Sequence, residues 1–210
     1  MRKITPYKTH RNALAALDNG GRFYNVLTKS SDGEIAKAEL AKLAGAFSDH
    51  QRMFLFLEMA LANLDEDNTR SIIRALSPEL RAQYRKHKPA FLTPAEALQK
   101  GKPAKPLIVT GTPRYVKSNS DFVGFIMIPI MAGKVTTFTM IPIIDQYDVY
   151  EVRDQESDEI FLIAHARIKN KLPKTPTRFG GVLKKLQPDK SRPSAHKVYL
   201  EVLFYTPTLT

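Results

Sequence analysis

The stretch Gly101-Lys-Pro-Ala-Lys-Pro106 separates two parts of the chain that have different hydrophobic patterns. Two prolines, a glycine and two lysines within six residues are typical of a linker, because proline and glycine interrupt both helices and strands. Apolar residues before this stretch recur at helical spacing, whereas those after it alternate as in strands. We therefore predict a helical domain over 1–100, a linker over 101–106 and a β domain over 107–210.

The part before the linker contains one long apolar segment and several helix starts. Residues 53–62 are apolar nearly all round, which indicates a central, buried helix. Capping patterns mark the beginnings of helices, because a short polar side chain can accept from the backbone N–H groups of the first turn. They are a capping box from Ser48 to Gln51, Ser77 before Pro78, and a capping box from Thr93 to Glu96.

The part after the linker reads as a run of strands. Short turns between neighbouring strands predict antiparallel pairing, and about six strands without intervening helices predict a small barrel or sandwich. The predicted class is therefore α+β, with an N-terminal helical domain and a C-terminal antiparallel β-barrel or sandwich. Residues 172–196 carry four prolines and are predicted to form a long excursion with one helical turn over 182–186. The strand candidates are 107–116, 122–131, 135–144, 149–153, 160–169 and 198–205.

One six-residue pattern occurs twice, as Phe125-Ile-Met-Ile-Pro-Ile130 and as Phe138-Thr-Met-Ile-Pro-Ile143. A proline cannot donate to a sheet ladder, so each copy is expected at an edge or a bulge. With a turn at 132–134, the two copies predict a kinked hairpin.

Composition excludes several classes of protein. The chain has 210 residues, 43% of them apolar, with a formal net charge of +11 and no cysteine. Disulfides, thiolate zinc sites and a cysteine nucleophile are therefore excluded. No apolar run reaches the roughly 18 residues of a membrane span, and the N-terminus lacks the apolar core of a secretion signal, so we expect a cytoplasmic protein. The five histidines are scattered, and we expect neither a metal nor a cofactor.

Residues 28–39 resemble the calcium loop of EF-hand proteins over twelve residues. Ser30, Asp32, Gly33, Ile35 and Glu39 stand at positions where that loop has ligands, its glycine and its aliphatic residue. The first position, however, is Thr28 where the loop has aspartate, and a strong anionic ligand is lost. A second, more degenerate loop could begin at Asp65. We expect no calcium binding at intracellular concentrations.

Charge is segregated along the chain. Residues 145–159 carry a net charge of −6, residues 164–197 carry +9, and residues 81–105 carry +6 with Glu96 as the one acid. Basic clusters attract phosphates because binding releases condensed counterions. An acidic hairpin over 145–159 is the obvious internal competitor for the basic stretch 164–197.

The basic β part supplies the predicted ligand-binding residues. On a strand over 160–169, alternation would place His165, Arg167 and Lys169 on one face, where they could hold an anion. Arg178, Lys184 and Lys185 complete the predicted set, and Gly180-Gly181 could present backbone N–H groups to a phosphate. No catalytic residue is predicted.

These observations favour a binding protein over an enzyme. The basic β domain is expected to engage an acidic or phosphate-bearing partner, which could be a nucleic acid, with the helical half as a scaffold or interaction module. Two alternatives stay open. One is an enzyme acting on an anionic small molecule at His165 and Arg167. The other is a structural subunit that associates through its helices. The sequence does not define the oligomeric state.

Overall fold

A computed structural model describes residues 1–19, 31–116, 125–132, 135–154, 157, 159–167, 171–186 and 197–208, with backbone alone over 125–142 and at Asp145. The helices are α1 (His10–Leu17), α2 (Lys37–Ala44), α3 (His50–Ala60), α4 (Glu66–Ala75), α5 (Pro78–His87), α6 (Pro94–Lys100) and the single turn α7 (Ile143–Gln146). The strands are β1 (Arg2–Lys3), β2 (Ala90–Phe91), β3 (Pro106–Gly111), β4 (Pro113–Tyr115), β5 (Phe125–Ala132), β6 (Val135–Pro142), β7 (Tyr147–Arg153), β8 (Ile160–Ala166), β9 (Thr177–Lys185) and β10 (Val198–Pro207).

Eight of the described strands form one open, mixed sheet. Their order is β2-β3-β9-β10-β8-β7-β4, and β1 pairs with β10 outside this path. Three pairs are parallel, namely β1 with β10, β8 with β10, and β2 with β3. The α+β class is thus confirmed. The prediction of an antiparallel barrel or sandwich is wrong, because the described sheet contains parallel pairs and is not closed.

Strand β9 is a central strand that the sequence did not predict. It lies between β3 and β10 and is antiparallel to both, in a segment that the sequence predicted to be an excursion with a helical turn. The helical turn over 182–186 is therefore wrong. A Cβ added at Gly181 would lie 2.2 Å from the carbonyl oxygen of Glu201, so a glycine here permits the close approach of β10. Gly180 leaves room for Met59 of α3.

Strands β5 and β6 form the predicted hairpin as a separate two-stranded sheet. Their register pairs Ala132 with Val135 and Pro129 with Phe138, while residues 133–134 lie outside the described part. Both strands of a two-stranded sheet are edge strands. Each can therefore accommodate a proline, which has no backbone N–H to donate to a second neighbouring strand. The predicted strand over 135–144 ends earlier, at Pro142, and α7 follows it.

The helices begin where local capping allows. Ser77 and Thr93 cap α5 and α6 as predicted, each accepting from a backbone N–H three residues on. The predicted cap at Ser48 is wrong. Asp49 caps α3 instead, and its carboxylate accepts from the backbone N–H of Arg52 at 3.0 Å. Asp65 likewise caps α4, so the segment after it is a helix and not a second calcium loop.

Helix α3 connects the helical half to the sheet. Its residues from Met53 to Ala60 are all buried, as the sequence predicted, and they pack against β3, β9 and β10. One core cluster contains apolar side chains of α1–α5 together with Ile108 of β3 and Phe204 of β10. Leu107 of β3 belongs to a second cluster with Ala97 of α6. Since neighbouring strand residues point to opposite faces, α6 covers the face opposite α3.

Residues 101–106 lead from α6 into β3 and lie beside β9 of the sheet. The backbone N–H of Ala104 donates to the carbonyl oxygen of Leu183 at 2.8 Å. The backbone N–H of Leu183 donates to the carbonyl oxygen of Lys105 at 3.0 Å. Gln51 of α3 donates to the carbonyl oxygen of Ala104 at 3.0 Å. The division into a helical domain 1–100, a linker 101–106 and a β domain 107–210 stays a prediction.

Candidate functional site

The predicted ligand-binding residues do not converge on one site. His165 is buried on β8, Arg178 is half-buried on β9, and Lys184 and Lys185 are exposed at the end of β9. Strand β10 separates β9 from β8. The strand that carries His165 is therefore about 10 Å across the sheet from the strand that carries Arg178, Lys184 and Lys185. Lys169 lies outside the described residues. The N–H groups of Gly180 and Gly181 lie within the β9 ladders, whereas the sequence had suggested a turn that could bind phosphate.

Most of these cations already have partners within the fold. The Arg178 guanidinium donates to the carbonyl oxygen of Ala62 at 3.4 Å, and Lys184 pairs with Glu201 at 3.4 Å. Arg167 donates to the carbonyl oxygen of Ile144. Each of these three cations therefore already contacts an oxygen atom within the chain.

Asp148 is the internal acidic partner of this region. It is fully buried, and its Oδ1 accepts from Lys171 Nζ at 2.6 Å, with Arg167 Nε 3.8 Å away. The hydrogen bond to Asp148 raises the pKa of Lys171 above its usual value. The acidic hairpin thus neutralises part of the basic stretch 164–197. This is the internal pairing that the charge pattern identified as a competitor for an external anion.

His165 lies directly opposite Asp148 in the β7–β8 ladder. Its Nδ1 is 2.9 Å from the carbonyl oxygen of Ala166, and its ring stacks on Tyr150 with centroids 5.7 Å apart. Burial lowers the pKa of His165 below its ordinary value. Nε2 of His165 and Oδ2 of Asp148 are buried without a hydrogen-bond partner. These atoms could exchange a proton with a substrate, but His165 is only 1% exposed.

A cleft of about 350 Å³ on the helical half is different in character. We call it the lysine cleft, after the cations that line it: Lys86, Lys88, Lys100, Lys102 and Lys105, together with His87. All five lysines are exposed, and the described residues lining the cleft include no carboxylate. Lys100 pairs with Glu96 at 2.7 Å. The other four form no ion pair in the part of the chain that the structure describes.

Two helix ends and a loop bring these lysines together. Lys86 and His87 end α5, Lys88 is its C-cap, and Lys100 ends α6. Lys102 and Lys105 follow on the segment that runs along β9. Cations at helix C-termini are locally favourable, because each terminus carries about half a negative charge. Two such ends offset only about one of the five lysine charges, so the cleft stays strongly positive.

His87 also packs against a second histidine. Its ring stacks on His50 with centroids 5.6 Å apart, and His50 in turn stacks on Phe54 at 6.4 Å. Nε2 of His50 is buried without a hydrogen-bond partner. Burial lowers the pKa of His87, so this residue is mainly neutral near pH 7 and available to take up a proton.

A second basic cleft, of about 530 Å³, lies between α4 and α5. We call it the arginine cleft, after Arg70, Arg74, Arg81 and Arg85, and it shares Lys88 with the lysine cleft. Its one lining carboxylate among the described residues, Glu66, pairs with Arg70 at 2.8 Å. Arg81 donates to the carbonyl oxygens of Arg74 and Leu76 at 2.6 and 2.9 Å.

The loop that resembles an EF-hand uses its carboxylates on the backbone. Asp32 accepts from the N–H of Glu34 at 2.9 Å, and Glu39 accepts from the N–H of Ala36 at 2.8 Å. Thr28 and Ser30 lie outside the described residues, and absence of calcium binding stays a prediction. Across the described ranges, no group of three or more His, Asp or Glu side chains is arranged to hold a metal ion.

Comparison with known proteins adds no family. The chain matches no model of a protein family, and no curated protein matches it. Among the helices of the described residues, none has the length and apolar character needed to cross a membrane.

Proposed function

We propose that this protein is a non-enzymatic binding protein that engages a phosphate-bearing polyanion through the basic face of its helical half. The basic face is the lysine cleft and the arginine cleft taken together. The observation that carries the proposal is that two clefts, lined by nine lysines and arginines, meet at Lys88. Glu66 is the one carboxylate among the described residues that line them.

The residue types favour phosphate over a single carboxylate. Arginine presents a planar fork that matches the geometry of two phosphate oxygens, and lysine binds phosphate as a point charge. Like charges within one exposed cluster repel one another. An anion bound among them therefore reduces this repulsion and is itself attracted by each charge. Two adjoining clefts suit an extended anion with several charges better than one small ion.

The β half supports this function less well. There, Arg167, Lys171 and Lys184 have carboxylate partners within the chain. The enzyme alternative has one observation in its favour, the unpartnered buried atoms of His165 and Asp148. Both side chains are closed to solvent, so a substrate would reach them only if the neighbouring chain moved.

The test compares two double variants that remove the same charge. Lys102→Gln with Lys105→Gln alters the lysine cleft, and Lys184→Gln with Lys185→Gln alters the end of β9. The probe is a labelled, abasic phosphodiester strand, whose binding is followed by fluorescence anisotropy over a range of salt concentrations. We expect the first variant to weaken binding and to lower the salt slope by about 1.4, as for two lost contacts to a single strand.

The second variant is the matched control and should bind like the unaltered protein. Neither variant should change the melting temperature much, because exposed charges contribute little to folding. A wild-type protein without salt-sensitive binding would overturn the proposal. A larger effect of the Lys184 and Lys185 changes would move the site to the β half.

A further inference from the structure

Next to the lysine cleft lies a third cleft of a different kind. It has a volume of about 350 Å³, and we call it the Phe91 cleft. Its apolar wall is formed by Phe91, Leu92, Pro94 and Ile108, and its charged lining residues are Glu96 and Asp154. The described residues that line it include no lysine or arginine.

Phe91 presents an aromatic ring at a fixed place. It lies on β2, where it pairs with Ile108 of β3, and the N–H of Leu92 donates to the carbonyl oxygen of Ile108 at 3.1 Å. The backbone is thus held in the sheet, while the side chain stays 50% exposed. An aromatic ring exposed to water is less favourable in free energy than a buried one. A ring held on a rigid strand therefore suits a partner with an apolar, flat surface.

The Phe91 cleft adjoins the lysine cleft. Leu92 lines both, and β2 runs from Ala90 in the lysine cleft to Phe91 in the other. Three residues of extended chain separate Lys88 from Phe91, a distance on the order of 10 Å. The two clefts are therefore adjacent at β2, which is an edge strand of the sheet.

The charges of the two clefts differ in sign. The lysine cleft attracts phosphate, whereas the described residues that line the Phe91 cleft offer no cation to a phosphate group. Both carboxylates already have partners: Glu96 accepts from Thr93 N–H at 3.1 Å and pairs with Lys100 at 2.7 Å, and Asp154 accepts from the N–H groups of Ala95 at 3.0 Å and Ser157 at 3.1 Å. The combination suits a ligand with an anionic part and a flat, neutral part.

From this arrangement we infer that the Phe91 cleft binds a base of a single-stranded nucleic acid whose phosphates occupy the lysine cleft. The inference rests on the proposed function, since it names the class of the polyanion. Bases in a duplex are stacked on their neighbours, whereas bases of a single strand can stack on an aromatic side chain. Such stacking tolerates any base, because every base has a flat face.

The experiment uses two probes of equal length and charge, an oligodeoxythymidine and its abasic counterpart. We expect the unaltered protein to bind the strand with bases more tightly. Phe91→Ala should weaken binding of that strand roughly 5- to 150-fold, the range for losing one base–aromatic stack, and leave the abasic strand unaffected. Phe91→Trp, which retains a ring, should keep the preference for bases.

Phe47→Ala is the matched control, because Phe47 is 68% exposed and lines none of the three clefts. Equal affinity of the unaltered protein for the two probes would overturn the inference and leave the proposed function standing. Equal losses from Phe91→Ala and Phe47→Ala would overturn it as well. If neither probe binds in a salt-sensitive way, the proposed function itself is wrong.

Discussion

At the scale of single residues, His87 couples the lysine cleft to pH. Burial, followed by the neighbouring charges of His50, Lys86 and Lys105, lowers its pKa in the free protein, and Asp49 opposes this effect. A bound anion adds negative charge beside the ring and so raises the pKa of His87 in the complex. Because binding then favours the protonated ring, affinity should rise as the pH falls through and below the ordinary histidine value of about 6.5.

This pH dependence can be measured with the abasic phosphodiester strand. Its phosphodiester groups stay ionised from about pH 5.5 to about pH 8.5, so the charge of the probe is constant. We expect the association constant to increase by at most about tenfold per pH unit, the limit for uptake of one proton. His87→Gln should flatten the profile, whereas Lys88→Gln should lower affinity at every pH. An identical profile in the His87 variant would show that other groups carry the effect.

Single residues also show why the site was only partly predictable. The basic character of 81–105 is visible in the sequence, but the larger net charge of 164–197 led to a predicted site in the β half, whereas we propose one in the helical half. Charge alone does not show whether a lysine meets a carboxylate after folding. Lys171 meets the buried Asp148, which lies 23 residues away in sequence, whereas Lys102 meets no acid among the described residues.

At the scale of elements, β9 depends on a glycine between two strands. In Gly181→Ala the new Cβ would lie 2.2 Å from the backbone oxygen of Glu201, and backbone cannot move aside without breaking the β9–β10 ladder. We expect a loss of about 3 kcal/mol in the free energy of unfolding, at the upper end for overpacking. Denaturant titration followed by circular dichroism measures this loss.

Gly45→Ala is a useful comparison, because a Cβ there would meet nothing within 4 Å. Gly45 has a φ of 68°, so the alanine would cost about 1 kcal/mol through backbone strain alone. Similar losses for the two variants would contradict the packing explanation for Gly181.

Some elements were predicted from the sequence and others were not, depending on how far apart in sequence their interacting residues lie. The caps at Ser77 and Thr93 use donors three residues away, and the sequence predicted both. Strand β9 contains two adjacent glycines and follows two prolines, which are local signals for a loop. Its position is set by pairing with β3 and β10, and a single sequence does not display such distant partners.

At the scale of the whole molecule, the stretch 101–106 decides how independent the two halves are. Independent domains predict rapid tryptic cleavage of the Lys100–Gly101 bond, which is not followed by proline, and two folded fragments. The backbone hydrogen bonds between Lys105, Ala104 and Leu183, and the core that α3 shares with the sheet, favour the opposite. We expect the Lys100–Gly101 bond to be protected from trypsin under native conditions and cut after denaturation, as mass spectrometry of the first cleavage products would show.

Strand β10 has a consequence for how the protein is made. It contributes to the centre of the sheet and pairs with β8, with β9 and also with β1, where Arg2 lies opposite Phe204. A ribosome completes β10 after the other described strands of the sheet, so β1, β8 and β9 are synthesised before the strand that pairs with all three. Contacts that join residues some 200 positions apart are slow to form, because a long loop must close first. The described sheet can be completed only once β10 has been synthesised, and until then the strands that pair with it present open edges of the kind that favours aggregation.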